Sequence, residues 1–107
     1  MINLLKETLD VMKENGKTPE DVVFVQIPQC NWREKPIQQG SWADFAAIAN
    51  FSYDNGFGGN KINLCLRIVG VDWWLERHEY DGSEWWEFKT RPQPLAEFAL
   101  LADLREA

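Results

Sequence analysis

Residues 72–90 read DWWLERHEYDGSEWWEFKT and predict a β-hairpin around which the fold is organised. The two arms, Asp72–Tyr80 and Glu84–Thr90, are rich in the aromatic residues that favour strands. Between the arms lies Asp81-Gly82-Ser83, and Asp-Gly is a strong hairpin signal because glycine accepts the positive φ that a tight turn requires. The stretch therefore predicts two antiparallel strands joined by a short turn.

The length of the turn decides which residues face each other, and the sequence leaves two registers open. With a two-residue turn, Arg77 faces Trp86 and Leu75 faces Phe88, with Trp73 on the same face. The other face then carries Trp74, Glu76, His78, Trp85 and Glu87. That register sets Glu76 opposite Glu87, which is unfavourable. With a turn one residue longer, Arg77 faces Glu87 instead. This one-residue shift moves the side chains of one arm to the opposite face of the sheet relative to those of the other arm.

The hairpin also holds most of the charge and most of the tryptophan of the chain. Residues 72–87 carry six acids against one arginine, so they supply −5 of the chain's net charge of −6, and they hold four of its six tryptophans. In either register, each adjacent tryptophan pair places one ring on each face of the sheet, and helices cover only one face of a two-layer domain. The sequence therefore predicts a rigid aromatic and acidic surface suited to protein contacts. The candidate residues are Trp73, Trp74, Glu76, His78, Trp85, Trp86 and Glu87. The alternative is that these tryptophans close the edges of the core or pack under the connection 28–40.

The rest of the chain predicts one α+β domain spanning residues 1–107. Apolar residues at helical spacing predict a helix over 2–15, and Ser41-x-x-Asp44 predicts the capped start of a second helix. A single helical turn over 18–21 precedes a strand over 22–27, and another strand covers 62–69. A last helix covers 95–105, burying Leu95, Phe98, Ala102 and one or both of Leu100 and Leu101. The predicted order is α-β-α-β-β-β-α, with an antiparallel meander over 62–90 and helices on one face.

No arrangement of residues predicts catalysis, a cofactor or a metal site. Gly56-Phe57-Gly58-Gly59 is preceded by a helix and followed by a strand, the reverse of a phosphate-binding loop. Metal binding requires clustered Cys or His, and the sequence has no such cluster. Cys30 and His78 form the only possible thiol–imidazole pair, with no local feature that would activate the thiol. Glutamates beside tryptophan in the hairpin offer a carboxylate pair for glycoside chemistry, and this is the enzymatic alternative.

Composition also constrains the partners and the compartment. The net charge of −6 disfavours direct nucleic-acid binding and attraction to anionic membranes. No apolar run approaches the roughly 20 residues that a membrane span needs, and the N-terminus does not resemble a signal peptide. Two cysteines without a secretion signal indicate reduced thiols, so we expect a cytoplasmic protein.

Two stretches carry a resemblance to known proteins. Residues 53–59, Tyr-Asp-Asn-Gly-Phe-Gly-Gly, followed by Asp72–Lys89, resemble small proteins of unknown activity from Gram-positive gut bacteria and their phages or mobile elements. The resemblance covers residues 51–92 and implies a small accessory protein of a mobile element. It carries no functional residues over to this chain.

The sequence therefore predicts a non-enzymatic binding protein whose acidic, tryptophan-rich hairpin over 72–88 contacts a protein. That partner is either a second copy of the chain or a basic protein reached through cation–π and charge contacts. A mimic of DNA that inhibits a nucleic-acid enzyme is a sharper variant, although six negative charges are few for that role. The alternative is a small hydrolase or carbohydrate-binding module that uses Trp and Glu of the same hairpin.

Overall fold

The structure is a computed structural model that describes residues 1–29, 36–56 and 61–106. Two α-helices lie beside two antiparallel sheets, which makes this an α+β fold, as predicted. The helices are α1 (Leu4–Glu14) and α2 (Trp42–Ala49), and a 3₁₀ turn spans Pro19–Asp21. The strands are β1 (Ile2–Asn3), β2 (Phe24–Ile27), β3 (Gln38–Gly40), β4 (Ser52–Tyr53), β5 (Arg67–Val69), β6 (Trp73–Tyr80) and β7 (Ser83–Thr90).

The larger sheet has five strands in the order β3-β2-β5-β6-β7, and every neighbouring pair is antiparallel. Strands β5, β6 and β7 form the predicted meander, and β2 lies beside it. The 62–69 strand prediction was too long, because β5 begins only at Arg67. Strands β1 and β4 form a separate small sheet. Strands β1, β3 and β4 were not predicted, because each has only two or three residues and shows no alternation of apolar and polar side chains.

The hairpin adopts the register with a two-residue turn. Tyr80 pairs with Ser83, and Asp81 and Gly82 both have positive φ, 51° and 85°. Two consecutive positive φ angles define the turn type whose twist matches that of the flanking strands. Consequently Glu76 lies opposite Glu87, the pairing that counted against this register.

Helix starts follow the sequence signals. Ser41 Oγ accepts a hydrogen bond from the Asp44 N–H at 3.1 Å, and the Asp44 carboxylate accepts one from the Ser41 N–H at 2.9 Å. This reciprocal pair is the predicted capping box, which satisfies N–H groups that have no partner inside the helix. The 3₁₀ turn begins in a related way, since Asp21 accepts from the Thr18 N–H at 2.8 Å.

The core lies between the helices and one face of the larger sheet. Ile68 and Leu75 of the sheet and Met12 of α1 are completely buried, and Phe45 of α2 packs into the same cluster. Trp86 is also in the core, where its indole N–H donates to Thr8 Oγ of α1 at 2.9 Å. We call this helix-covered side of the sheet the inner face.

The predicted C-terminal helix is wrong: none of residues 91–106 is helical. Its large apolar side chains are exposed, with Leu95 at 72% and Phe98 at 68%. An isolated helix of about 11 residues is marginal in water, so it forms only where it can pack an apolar face. The described part of the chain offers this segment no such surface. We call residues 95–104 the C-terminal segment.

Candidate protein-binding face

The side of the larger sheet opposite the helices is the candidate site. Because neighbouring residues of a strand point to opposite faces, the register assigns every second residue of each strand to this side. We call it the outer face, and it carries Phe24, Gln26, Gln39, Arg67, Val69, Trp74, Glu76, His78, Tyr80, Ser83, Trp85, Glu87 and Lys89. In the described part of the chain, both α-helices lie on the inner side.

The two tryptophan pairs divide between the faces, as predicted for either register. Trp73 and Trp86 are on the inner face, exposed by only 3% and 5%. These two residues therefore belong to the core and not to a binding surface. Trp74 and Trp85 are half-buried on the outer face. Thus two of the seven candidate residues are removed from the site, and the other five share one surface.

The indole groups of the outer face are fixed by neighbouring glutamates. Trp74 Nε1 donates to Glu76 Oε1 at 2.7 Å, and Trp85 Nε1 donates to Glu87 Oε2 at 3.1 Å. Each bond joins residues two apart on one strand, which lie side by side on the same face. A tryptophan held in this way presents its ring without losing much further freedom on binding.

The cross-strand glutamate pair is tolerated because cationic or hydrogen-bonding side chains lie between and beside the two carboxylates. His78 Nε2 lies 2.8 Å from Glu76 Oε2 and 3.5 Å from Glu87 Oε1, and Lys89 Nζ lies 3.1 Å from Glu87 Oε1. Partial burial acts to raise the pKa of Glu76, but hydrogen bonds from Trp74 and His78 outweigh it and leave that pKa lowered. Hydrogen bonds from Lys89 and then Trp85 likewise lower the pKa of Glu87. Both carboxylates are therefore held in the charged form.

A buried charge cluster lies directly behind the outer face. The guanidinium of Arg77 is fully buried and donates to Glu84 Oε1 at 3.0 Å and to the Tyr53 hydroxyl at 2.9 Å. Glu7 of α1 approaches the same guanidinium at 3.3 Å, and the ring of Trp86 lies 4.8 Å from it. Burial raises the pKa of Tyr53, as does its hydrogen bond to Glu7.

Glu84 completes this cluster by accepting from the backbone. It receives the N–H groups of Lys61 and Ile62, the latter at 3.0 Å, and its side chain is fully buried. Sequence reasoning counted Glu84 among the surface acids and missed the cluster. The sequence did contain one signal for this cluster. In the register with a two-residue turn, Arg77, the single base of residues 72–87, lies on the inner face.

These contacts reduce the negative charge that the sequence assigned to the surface. Glu84 is neutralised inside the protein by Arg77, while Lys89 and the exposed Arg67 join Glu76 and Glu87 on the outer face. The outer face therefore carries both signs of charge. Contrary to the sequence-based picture, it is an aromatic and mixed-charge surface and not a strongly acidic one.

The remaining sequence-predicted features lie elsewhere. Tyr53, the last residue of β4, is buried in the core, and in the loop that follows, the Asn55 carbonyl accepts the Glu84 N–H at 2.9 Å. Residues 57–60 lie outside the described part. Cys30 and Trp32 also lie outside it. Among the described residues, no three His, Cys, Asp or Glu side chains are placed to hold a metal ion.

Cys65 departs from expectation. It is half-buried in a turn before β5, and it is disulfide-bonded, not a reduced thiol within a strand. The expectation of a cytoplasmic protein thereby loses the support drawn from its cysteines, since disulfides seldom persist in the cytosol.

Comparison with known proteins adds no assignment: no family model, curated protein or solved structure matches this chain. In the described ranges, the structure contains no helix with the length and apolarity needed to span a membrane.

Proposed function

We propose that this chain is a small non-enzymatic binding protein that contacts another protein through its outer face. The observation that carries the proposal is the pair Trp74 and Trp85, half-buried on the sheet face away from the helices, with both indole N–H groups already bonded to glutamates of the same face. Tryptophan concentrates binding energy at protein interfaces because it offers a large contact area at a small entropic cost.

The enzymatic alternative receives less support. A glycosidase requires one carboxyl group that stays protonated near neutral pH to act as the general acid. The pKa values of Glu76 and Glu87 are both shifted downward by their hydrogen bonds, so neither residue suits that role. Sugar binding by the same tryptophans is tested on a glycan array, where the proposal expects no signal.

The main test replaces both outward tryptophans. Trp74→Ser/Trp85→Ser should abolish association measured by sedimentation and by capture on the immobilised chain, while circular dichroism shows a folded sheet. Ile48→Ser is the matched control, because Ile48 is 76% exposed on α2, away from the outer face. If the double variant keeps every association of the unmodified chain, the outer face is not the binding surface.

A cytoplasmic location and a role in a mobile element belong to this proposal as well. In the cytoplasm the glutathione pool would reduce the Cys65 disulfide seen in the structure, so the redox state of Cys65 in cells decides the location. Alkylation of cells before lysis, followed by mass spectrometry of the Cys65 peptide, measures this directly. A Cys65 that stays oxidised in intact cells contradicts the cytoplasmic assignment without affecting the outer face.

A further inference from the structure

We propose that the partner of the outer face is a second copy of this chain, and that the two copies pack sheet against sheet around a two-fold axis. This inference rests on the proposed function and names its partner. Its basis is the arrangement of side chains in rows across the sheet, together with an apolar segment that the single chain leaves uncovered.

Two rows of side chains cross the outer face perpendicular to the strands. The registers align Phe24, Val69, Trp74 and Lys89 in one row, which we call the apolar row. They align Gln26, Arg67, Glu76 and Glu87 in the next row, which we call the polar row. Each row contains one residue from each of the strands β2, β5, β6 and β7, in that order.

A two-fold axis parallel to the strands and midway between β5 and β6 makes both rows self-complementary. The rotation places β5 of one copy over β6 of the other and β2 over β7. In the polar row, Arg67 then lies over Glu76 of the partner subunit, and Gln26 lies over Glu87 of the partner subunit. Each of these contacts occurs twice, as a two-fold interface requires.

The apolar row is matched by the same rotation. Val69 lies over Trp74 of the partner subunit, and Phe24 lies over Lys89 of the partner subunit, where an ammonium and an aromatic ring attract each other. Two sheets that pack face to face keep their strands within about 30° of each other, so the rows stay in register over this short distance. One axis therefore pairs opposite charges and apolar groups together.

The C-terminal segment begins at the edge of this interface. The Arg91 N–H donates to the Asp72 carbonyl at 2.7 Å, so the chain leaves the sheet at the end next to the apolar row. Val23 and Val71 are at that same end and are exposed by 57% and 84%. In the proposed dimer, each C-terminal segment emerges beside the exposed valines of the partner subunit, which provide an apolar surface for a helix.

The single chain is also more extended than a closed domain of its length. Its Cα radius of gyration is 16.7 Å and its longest dimension is 50 Å. A compact domain of this size has a radius of gyration of about 13 Å. Pro92 and Pro94 favour an extended backbone just before the C-terminal segment, and the large side chains of that segment are exposed.

The area buried between the two copies is large enough for a stable dimer only if the C-terminal segment takes part in the interface. Two rows across four strands, spaced by about 4.8 Å, cover roughly 250–300 Å² per copy. The five large apolar side chains Leu95, Phe98, Leu100, Leu101 and Leu104 add roughly 60–120 Å² each. The sum is roughly 550–900 Å² per copy, close to the ~800 Å² per partner of a stable interface.

The test uses complementary charge reversal in the full chain. Arg67→Glu places like charges over Glu76 of the partner subunit, and Glu76→Arg does the same with the opposite sign. Each variant alone should sediment as the 12.5 kDa monomer, with a dissociation constant raised at least about tenfold. An equimolar mixture should regain the dimer, because Glu at position 67 of one variant then meets Arg at position 76 of the other.

The mixture separates the interface from effects within one sheet. Arg67 and Glu76 are also neighbours inside the chain, and each single variant carries its intramolecular like-charge pair whether or not the other variant is present. If either variant fails to fold, Gln26→Glu and Gln26→Lys give milder changes opposite Glu87 of the partner subunit, the first weakening and the second tightening the dimer.

Several results would overturn the proposal. The first is that the unmodified chain stays at 12.5 kDa at all concentrations. The second is that the single variants dimerise as tightly as the unmodified chain, and the third is that the mixture of the two variants stays monomeric. A chain truncated after Gln93 should dimerise more weakly, and equal affinity would contradict the role of the C-terminal segment. A monomeric chain that still captures another protein through Trp74 and Trp85 would remove the dimer and leave the proposed function intact.

Discussion

Replacing Arg77 by methionine tests the buried charge cluster most directly. Methionine keeps much of the aliphatic volume but removes the guanidinium, which leaves the fully buried Glu84 carboxyl group without its cation. Breaking a buried ion pair by removing one partner costs roughly 3–5 kcal/mol, because the remaining charge is neither solvated nor paired. A domain of this kind has a total stability of roughly 5–15 kcal/mol, so Arg77→Met should be severely destabilised.

The contacts of Arg77 explain why the expected loss of unfolding free energy is large. The guanidinium donates to both Glu84 and Tyr53, at 3.0 and 2.9 Å, and Glu7 lies at 3.3 Å, so three groups lose the same cationic partner together. Urea unfolding followed by tryptophan fluorescence measures the free energy of unfolding, and Trp86, 4.8 Å from the guanidinium, reports on the site.

A double-mutant cycle and a surface control complete the experiment. Arg77→Met/Glu84→Gln should lose less stability than the sum of the two single variants, because glutamine removes the unpaired charge and still accepts a backbone N–H. Lys6→Ala breaks an exposed ion pair with Asp10 and should change the free energy of unfolding far less than Arg77→Met. A loss below about 1 kcal/mol for Arg77→Met would refute the reasoning that the guanidinium neutralises a buried charge.

Two further predictions concern pH and the C-terminal segment. The pKa values of Glu76 and Glu87 are lowered from 4.5 in the folded chain, so their stabilising effect is present above that value and is lost as the pH falls through the lower folded values. The urea midpoint should therefore drop on acidification below pH 4.5, and Glu76→Gln/Glu87→Gln should flatten that drop; an equal drop in the double variant would show that other carboxylates cause it. Truncation after Gln93 should change the unfolding free energy of the monomer by less than about 0.5 kcal/mol, measured at protein concentrations that keep it monomeric, because Leu95 and the rest of the segment are exposed there. A larger loss would mean that the segment packs on its own domain.

The local elements were predictable because their signals lie within a few residues. The Asp81-Gly82 turn forms as predicted, since aspartate tolerates a positive φ and glycine, without a Cβ, adopts one freely. Ser41 with Asp44 caps α2 through bonds between near neighbours. The division of each tryptophan pair between two faces also follows from strand geometry alone. For the same reason, five of the seven candidate site residues share the outer face.

The charge pattern illustrates what local sequence does not reveal. The net charge of −5 over residues 72–87 was correct, but its assignment to one surface was not. Glu84 is inside the protein because Arg77 on the adjacent strand and the backbone of residues 61–62 satisfy its oxygens. Those partners come from separate parts of the chain.

The C-terminal helix failed for a different physical reason. Its periodicity and composition favour a helix, but a short helix needs an apolar surface to pack on. Whether that surface exists is decided by the tertiary and quaternary structure, and periodicity carries no information about it.

By itself, the sequence determined the α+β class, the hairpin, the start of α2 and the presence of an aromatic face, because these depend on short-range geometry. Only the tertiary structure decided the register. The two-residue turn lets Arg77 reach Glu7, Tyr53 and Glu84 in the core, while His78 and Lys89 offset the repulsion of the glutamate pair on the outer face. Glu7 is 70 residues from Arg77 in the chain, and such long-range contacts form only when the whole domain folds.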